Sequence, residues 1–210
     1  NAAVGIPASI ATSFPWVNPA YEGWTALAPN IDYDILKKGL LSAYLNNGVS
    51  VYKCPADKVP SDNGDRVRSI SMNGQMGHTS SGSPTFYTPP NYNDVAHAGA
   101  PGYKVFKKAT EISGSFSPTM AFIFLDEHPG SINDGYFQTS MYSGNYPDLP
   151  ASYHNNAGGF SFADGHVELH KWLDSSTIKL PIKGVSTQNT PVSGTSVDLL
   201  WLRDHTTVKN

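Results

Sequence analysis

Residues 152–172 concentrate side chains that can bind metals or transfer protons. The segment reads SYHNNAGGFSFADGHVELHKW and holds three histidines and two acids: His154, His166, His170, Asp164 and Glu168. Imidazole and carboxylate groups are common zinc ligands and common acid–base groups. The same segment carries a strong hairpin signal, because Asp-Gly between two alternating runs favours a type I′ turn.

A two-residue turn at Asp164 and Gly165 would determine which side chains share a face of this hairpin. It predicts four cross-strand pairs: Ala163–His166, Phe162–Val167, Ser161–Glu168 and Phe160–Leu169. In that register both phenylalanines, Val167 and Leu169 point into the interior, while Ser161, His166, Glu168 and His170 point to solvent. Two interpretations of the polar face stay open, a solvated scaffold and a ligand-binding surface.

A second polar cluster follows the most apolar run of the chain. The letters LDEHPGSINDG place Asp126, Glu127 and His128 at the end of a predicted buried strand. Asp, Asn, Ser and Gly form turns by bonding to their own backbone, but carboxylate and carbonyl oxygens are also calcium ligands. A zinc site from His128, His154 and an acid is a third interpretation, without an H-E-x-x-H or paired-cysteine motif behind it. All three stay open.

Two further groups of residues could contact a substrate. Asp126, Glu127 and Asp164 are candidates for the paired carboxylates of glycoside hydrolysis, although nothing in the sequence sets their separation. Tyr87 and Tyr92 lie in a long loop, residues 78–102, rich in Pro, Gly, Ser and Asn. They are candidates for a carbohydrate-stacking surface, and ordinary aromatic packing is the alternative.

The composition favours a loop-rich protein without a nucleic-acid partner. Of the 210 residues 15% are charged, against roughly 25% in an average domain, and Gly and Pro number 19 and 16. The net charge of −3 comes with no basic cluster. Cys54 is the single cysteine, so no internal disulfide forms, and we expect it to pack as a small hydrophobic side chain.

Periodicity predicts a single α+β domain over residues 1–210. The predicted elements are an amphipathic helix over 30–48, strands at 49–54, 66–73, 120–125 and 136–141, the hairpin, and a helix over 197–206. The apolar run 120–125 predicts a central strand buried on both faces. In the last helix Leu199, Leu200 and Leu202 are predicted to face the interior. A helix followed by an antiparallel sheet is typical of the α+β class.

Several motifs together resemble one family. His154, nine residues and then Asp164-Gly165 match the H-X9-DG motif of prepilin-processing-associated proteins, which are similar to the G-type pseudopilins of type II secretion. Supporting matches occur in the family's order: YKCPAD at 52–57, SISMNGQMG at 69–77, FIFLDEHPGSINDGYF at 122–137 and LLWLRDHTT at 199–207. The resemblance spans most of the chain.

This resemblance implies a type IV pilin-like head with an antiparallel sheet and a long apolar N-terminal helix that anchors the precursor in the inner membrane. These 210 residues lack that helix, so we expect the soluble head of an exported protein, periplasmic or at the cell surface. Its implied partners are other pseudopilins or secretion-system proteins. Related G-type pseudopilins carry a structural calcium ion, for which the nearest candidate ligands here are Asp126, Asn133, Asp134 and Asp164.

Three functions are therefore under test. The favoured hypothesis is a non-enzymatic, exported structural or interaction subunit with a pseudopilin-like head. The second is an extracellular carbohydrate-binding module that uses Tyr87 and Tyr92. The third is a metal-dependent hydrolase built on Asp126, Glu127, His128 and His154.

Overall fold

The computed structural model describes residues 16–17, 22–76 and 102–210. Its α-helices are α1 (Tyr33–Lys37), α2 (Ala109–Ser115) and α3 (Val197–Thr206). Its strands are β1 (Ile70–Asn73), β2 (Phe122–Asp126), β3 (Tyr136–Phe137), β4 (Asn145–Tyr146), β5 (Ala157–Phe162), β6 (Val167–Lys171) and β7 (Thr190–Pro191). Short 3-10 helices occupy Ala28–Ile31, Ser42–Leu45 and Ser50–Tyr52. Tyr87 and Tyr92, and with them nearly all of the predicted loop 78–102, lie outside the described residues.

Five strands form the main sheet in the order β3-β1-β2-β5-β6, and β4 and β7 form a separate ribbon. Strand β2 is central, which confirms the prediction from its apolar run. The pairs β1–β2, β2–β5 and β5–β6 are antiparallel, but β1 and β3 run parallel. The protein is therefore a mixed α+β structure with a mostly sheet core, and the prediction of a purely antiparallel sheet is wrong at that edge.

The inner face of the sheet packs against helix α3. Phe122, Leu125, Phe160 and Phe162 form a core there with Leu199 and Leu202 of the helix, both fully buried. The Ser196 hydroxyl begins α3 by accepting a hydrogen bond from the Leu199 amide. The terminal helix and its inward Leu199 and Leu202 are thus confirmed, whereas Leu200 is 42% exposed. Within the described ranges no helix has the length and apolar character needed to cross a membrane.

The described residues cover the outer face of the sheet at one end. Trp16, Leu36 and Tyr52 pack over the β1–β2 side, against partly buried residues that include Ile70 and Phe124. Over β5 and β6 the described chain leaves this face open, and Val167 and Leu169 are 75% and 63% exposed.

The predicted helix over 30–48 is wrong as a single element. The chain forms α1 and two 3-10 helices instead, and Leu40 and Tyr44 of the predicted apolar stripe are exposed. Gly39 explains the break, because an added Cβ there would lie 2.0 Å from the Trp16 carbonyl oxygen. The backbone of Trp16 therefore occupies the space that a side chain at position 39 of a continuous helix would need.

Two predicted strands also differ from the structure. Residues 49–54 contain the 3-10 helix Ser50–Tyr52, in which Tyr52 is buried and its neighbour Val51 is exposed. The predicted strand 136–141 reaches only from Tyr136 to Phe137. The Gln138 amide donates to the Asp148 side chain at 2.7 Å instead of to a neighbouring strand.

The hairpin exists, but its predicted register is wrong by one residue. Phe160 lies opposite Glu168 and Ser161 opposite Val167. A type I′ turn needs positive φ at both central residues, and only Gly165 has it, at 93°. The loop therefore has three residues, closed by hydrogen bonds from the Phe162 and Gly165 amides.

This shift moves every side chain of β6 to the opposite face of the sheet. His170 of β6, and His166 just before the strand, therefore share a face with the phenylalanines of β5. His166 stacks on Phe162 with ring centroids 4.2 Å apart, and His170 stacks on Trp201 of α3 at 3.7 Å. Burial lowers the pKa of His170. These flat aromatic contacts with the interior favour the observed register over the predicted one, which placed Val167 and Leu169 inside.

Candidate functional site

Three potential metal ligands converge beyond the end of β2. The Cys54 Sγ lies 3.4 Å from His154 Nε2, and His154 Nε2 lies 3.2 Å from Asp126 Oδ2. All three ligand atoms lie within 4.8 Å of one another. Among the described residues this is the one group of His, Cys, Asp and Glu side chains with that spacing.

Asp126 is positioned by the central strand and by its neighbour β5. It is the last residue of β2, opposite Ile70 of β1, so its side chain leaves the sheet on the outer face. The Gly159 amide donates to its Oδ2 at 3.1 Å. A Cβ on Gly159 would lie 2.8 Å from the same oxygen, so only glycine leaves room for this carboxylate.

His154 is turned back toward Asp126 by a tight loop before β5. Asn155 and Asn156 both have positive φ, at 53° and 67°, and the His154 amide donates to the Ala157 carbonyl across them. Asparagine is among the few residues that adopt this conformation readily. The Asn-Asn pair therefore reverses the chain and places the imidazole at the head of the strand, with 31% of the side chain exposed.

Cys54 approaches from a separate segment, and its surroundings disfavour the thiolate form. Its amide donates to the Ser69 hydroxyl at 2.7 Å, which fixes the turn after the 3-10 helix Ser50–Tyr52. Burial raises the pKa of the Cys54 thiol, and the Asp126 carboxylate raises it further. A catalytic cysteine needs the opposite shift. In a Cys-His-Asp relay, moreover, the acid contacts the second ring nitrogen of the histidine, whereas here both contacts use Nε2.

An open apolar groove begins at Asp126 and runs across the outer face of β2, β5 and β6. Its volume is about 440 Å³, within the range of roughly 300–1,000 Å³ typical of ligand sites. The apolar side chains on this face are those of Ile70, Phe124, Val167 and Leu169, whereas Leu125 and Phe160 border the groove but have their side chains in the inner core.

The residues of the H-X9-DG motif do not meet. His154 precedes β5, and Asp164 and Gly165 follow its other end in the hairpin loop. Asp164 Oδ1 accepts from the His166 amide and lies 2.6 Å from His166 Nδ1. These bonds to His166 lower the pKa of Asp164. The two parts of the motif thus hold the two ends of one strand.

The four predicted calcium ligands are distributed over several local interactions. Asp126 faces Cys54 and His154, while Asp164 bonds within its own loop. Asp134 Oδ1 accepts from the Tyr136 amide, and the Asn133 carbonyl accepts from the Glu22 amide. Asp134 and Asn133 thus serve turns and packing, which was the alternative interpretation of this segment.

The other residues nominated for a hydrolase or zinc site also point elsewhere. Glu127 is fully buried and accepts a hydrogen bond from Ser131, and burial raises its pKa to about 8. His128 Nδ1 accepts from the Gly130 amide and lies 3.1 Å from the Thr187 hydroxyl. Burial lowers the pKa of His128 to about 4. Of the four predicted hydrolase residues, only Asp126 and His154 come together.

Sequence reasoning missed Cys54 as a member of this site. Its separation from His154 is 100 residues, and the segment around it matches no spacing rule for metal ligands. The signal available was the YKCPAD match at 52–57, in which the cysteine directly precedes a proline.

A scan against protein-family models matched no family, and searches of curated proteins and of solved structures found no match. The resemblance to pseudopilin-like proteins is therefore carried by the sequence motifs alone.

Proposed function

We propose that this chain is a non-enzymatic interaction subunit, the exported head of a pseudopilin-like protein with a type IV pilin-like fold. The observation that carries the proposal is the open apolar groove over β5 and β6. Val167 and Leu169 project from it with most of their surface exposed. Contiguous apolar surface of this kind marks a contact site for another chain.

The position of β6 in the sheet supports the same function. Among the described strands β6 pairs only with β5, so its other edge presents free backbone donors and acceptors. A partner segment could add to that edge by strand pairing while its apolar side chains fill the groove. An exported protein that assembles with other pseudopilins needs a surface of this type.

The test is site-specific photo-crosslinking in cells that produce the full-length protein. A photoreactive residue in place of Leu169 is expected to join the chain to a second subunit that carries a prepilin-type apolar N-terminal helix. The same residue in place of Leu180, which is 82% exposed, is the control and should give no such product.

Val167→Asp combined with Leu169→Asp should abolish assembly without lowering the melting temperature, because both side chains are already exposed. Equal crosslinking from both positions would contradict a dedicated surface. Turnover of a substrate that is lost in His154→Ala would contradict a non-enzymatic role.

A further inference from the structure

The cluster at the end of β2 has the composition of a transition-metal site. It combines a thiol, an imidazole and a carboxylate, contributed by three segments that are distant in the sequence. We propose that Cys54, Asp126 and His154 bind a divalent metal ion of the zinc class. The proposal is independent of the groove and of the subunit's partners.

Two of the three ligand separations agree with tetrahedral coordination. Zinc lies about 2.3 Å from sulfur and about 2.0–2.2 Å from imidazole nitrogen or carboxylate oxygen. At tetrahedral angles those bonds put sulfur and nitrogen about 3.6 Å apart, and nitrogen and oxygen about 3.4 Å apart. The observed separations are 3.4 Å for Cys54–His154 and 3.2 Å for His154–Asp126. The third pair, Cys54 Sγ and the Asp126 carboxylate oxygen, lies within 4.8 Å, and side-chain rotation that brings this pair to about 3.6 Å would complete the site.

Hydrogen bonding alone leaves this arrangement incompletely satisfied. The Nε2 atom of His154 carries at most one proton, yet it contacts both Cys54 Sγ and Asp126 Oδ2. If the thiol donates to the single Nε2 lone pair, no proton lies between Nε2 and the ionised carboxylate oxygen. If Nε2 is protonated instead, its single proton is divided between two acceptors. A cation at the common point would bind all three ligand atoms.

The choice of metal follows from the sulfur ligand. Thiolate selects zinc and other soft or borderline ions, whereas calcium takes six to eight oxygen ligands. The calcium site expected from the pseudopilin resemblance would therefore not form around Asp126. Here Asp126 Oδ2 contacts His154 Nε2 and accepts a hydrogen bond from the Gly159 amide.

The backbone around the cluster holds each ligand in place, as the outer shell of a metal site does. The Ser69 hydroxyl orients the Cys54 amide, and the Gly159 amide orients the Asp126 carboxylate. The loop at Asn155 and Asn156 fixes the backbone of His154.

Three protein ligands leave one position of a tetrahedral ion for an outside ligand. His154 is partly exposed, and Asp126 lies at the end of the apolar groove. Zinc sites with three protein ligands typically bind water or an exogenous group in the fourth position.

The first test measures Zn²⁺ binding by the purified chain, free of any histidine tag, in competition with a chromophoric chelator. One equivalent is expected to bind, and Cys54→Ser, Asp126→Asn and His154→Gln should each weaken binding by at least about tenfold, since even outer-shell changes cost about 10–100-fold. Co²⁺ substitution should give the absorption of a tetrahedral ion with a thiolate charge-transfer band, absent in Cys54→Ser.

The matched control is a second His–Asp pair among the described residues. Asp164 Oδ1 and His166 Nδ1 lie 2.6 Å apart, so these two side chains are in direct contact. Neither belongs to the group of potential metal ligands, and no cysteine completes a site with them. Asp164→Asn and His166→Gln should leave Zn²⁺ affinity within about twofold of wild type, because a metal site needs a third protein ligand. An equal loss in the control variants, or unchanged binding in all three site variants, would overturn the proposal.

A second test uses the wild-type chain, so a variant that fails to fold cannot affect its result. Cys54 is the only cysteine, so its alkylation reports on this site alone. Bound Zn²⁺ is expected to slow alkylation by iodoacetamide at least about tenfold relative to the chelator-treated chain, because the metal holds the sulfur lone pairs. Ca²⁺ at the same concentration should have no effect. Equal rates with and without Zn²⁺ would refute the site.

Discussion

At the scale of single residues, Glu22 shows how burial can override an opposing charge. Only 6% of Glu22 is exposed, and its Oε1 lies 3.8 Å from Arg68 Nε. Burial raises its pKa from 4.5 to about 7, although Arg68, Arg66 and Lys53 lower it and Asp57 raises it. The folded state therefore retains a proton that the unfolded chain has released at neutral pH.

This shift gives a pH dependence of stability with a defined sign. The contribution of Glu22 is fully present below about pH 4.5 and is lost as the pH rises through about 7. Between pH 5 and 7 wild type should lose up to about 1.4 kcal/mol of unfolding free energy per pH unit relative to Glu22→Gln. Urea unfolding at pH 5, 6, 7 and 8 measures the difference. The exposed Glu168→Gln is the control, and parallel curves for wild type and Glu22→Gln would contradict the assignment.

At the scale of elements, the hairpin loop depends on one glycine. Gly165 has a φ of 93° and nothing within 4 Å of an added Cβ, so conformation alone requires glycine there. Gly165→Ala should therefore lower the free energy of unfolding by about 1–2 kcal/mol through backbone strain. Gly194 is equally open but lacks a positive φ, so Gly194→Ala should be neutral or slightly stabilising. Chemical denaturation of both variants tests this prediction. Equal changes in unfolding free energy would show that the hairpin loop relaxes to accommodate alanine.

The same loop explains why the hairpin was found and its register missed. Alternation and Asp-Gly reliably mark two strands with a tight turn between them. They do not distinguish a two-residue loop from a three-residue loop. A shift of one residue in the register moves every side chain of β6 to the opposite face of the sheet. The contacts of His166 with Phe162 and of His170 with Trp201 stabilise the second choice, and the contact with Trp201 exists only after α3 has packed on the sheet.

At the scale of the whole molecule, Asn73 ties three elements together. This fully buried residue ends β1, and its Nδ2 donates to the Phe122 carbonyl of β2 at 2.9 Å and to the Thr206 carbonyl of α3 at 3.0 Å. Its Oδ1 accepts from the Gln75 amide. One side chain thus links two strands of the sheet to the terminal helix α3.

Asn73→Ala should cost about 2–4 kcal/mol of unfolding free energy, because it removes three hydrogen bonds and leaves buried backbone groups unpaired. Half-buried Asn145 makes more exposed side-chain contacts, and Asn145→Ala should cost less than about 1 kcal/mol. Thermal and urea unfolding provide the comparison. A small effect at Asn73 would mean that α3 can shift to satisfy its own carbonyls.

The candidate site was only partly accessible from the sequence. Asp126 and His154 stood out by residue type and were grouped in the hydrolase hypothesis, but with Glu127 and His128 instead of Cys54. They lie 28 residues apart, and His154 lies 100 residues from Cys54. Separations of that size carry no periodic signal, because the approach depends on which strands pair and on how the Asn-Asn loop turns.

The sequence by itself determined the α+β class, the central strand β2, the two strands of the hairpin and the terminal helix α3. Each is encoded locally, by a contiguous apolar run, by alternation around a glycine turn, or by a helical period with a cap. Tertiary structure decided the break at Gly39, the register of β6 and the meeting of Cys54, Asp126 and His154. Those features depend on contacts between distant segments, whose free energies are comparable to the local preferences and can outweigh them.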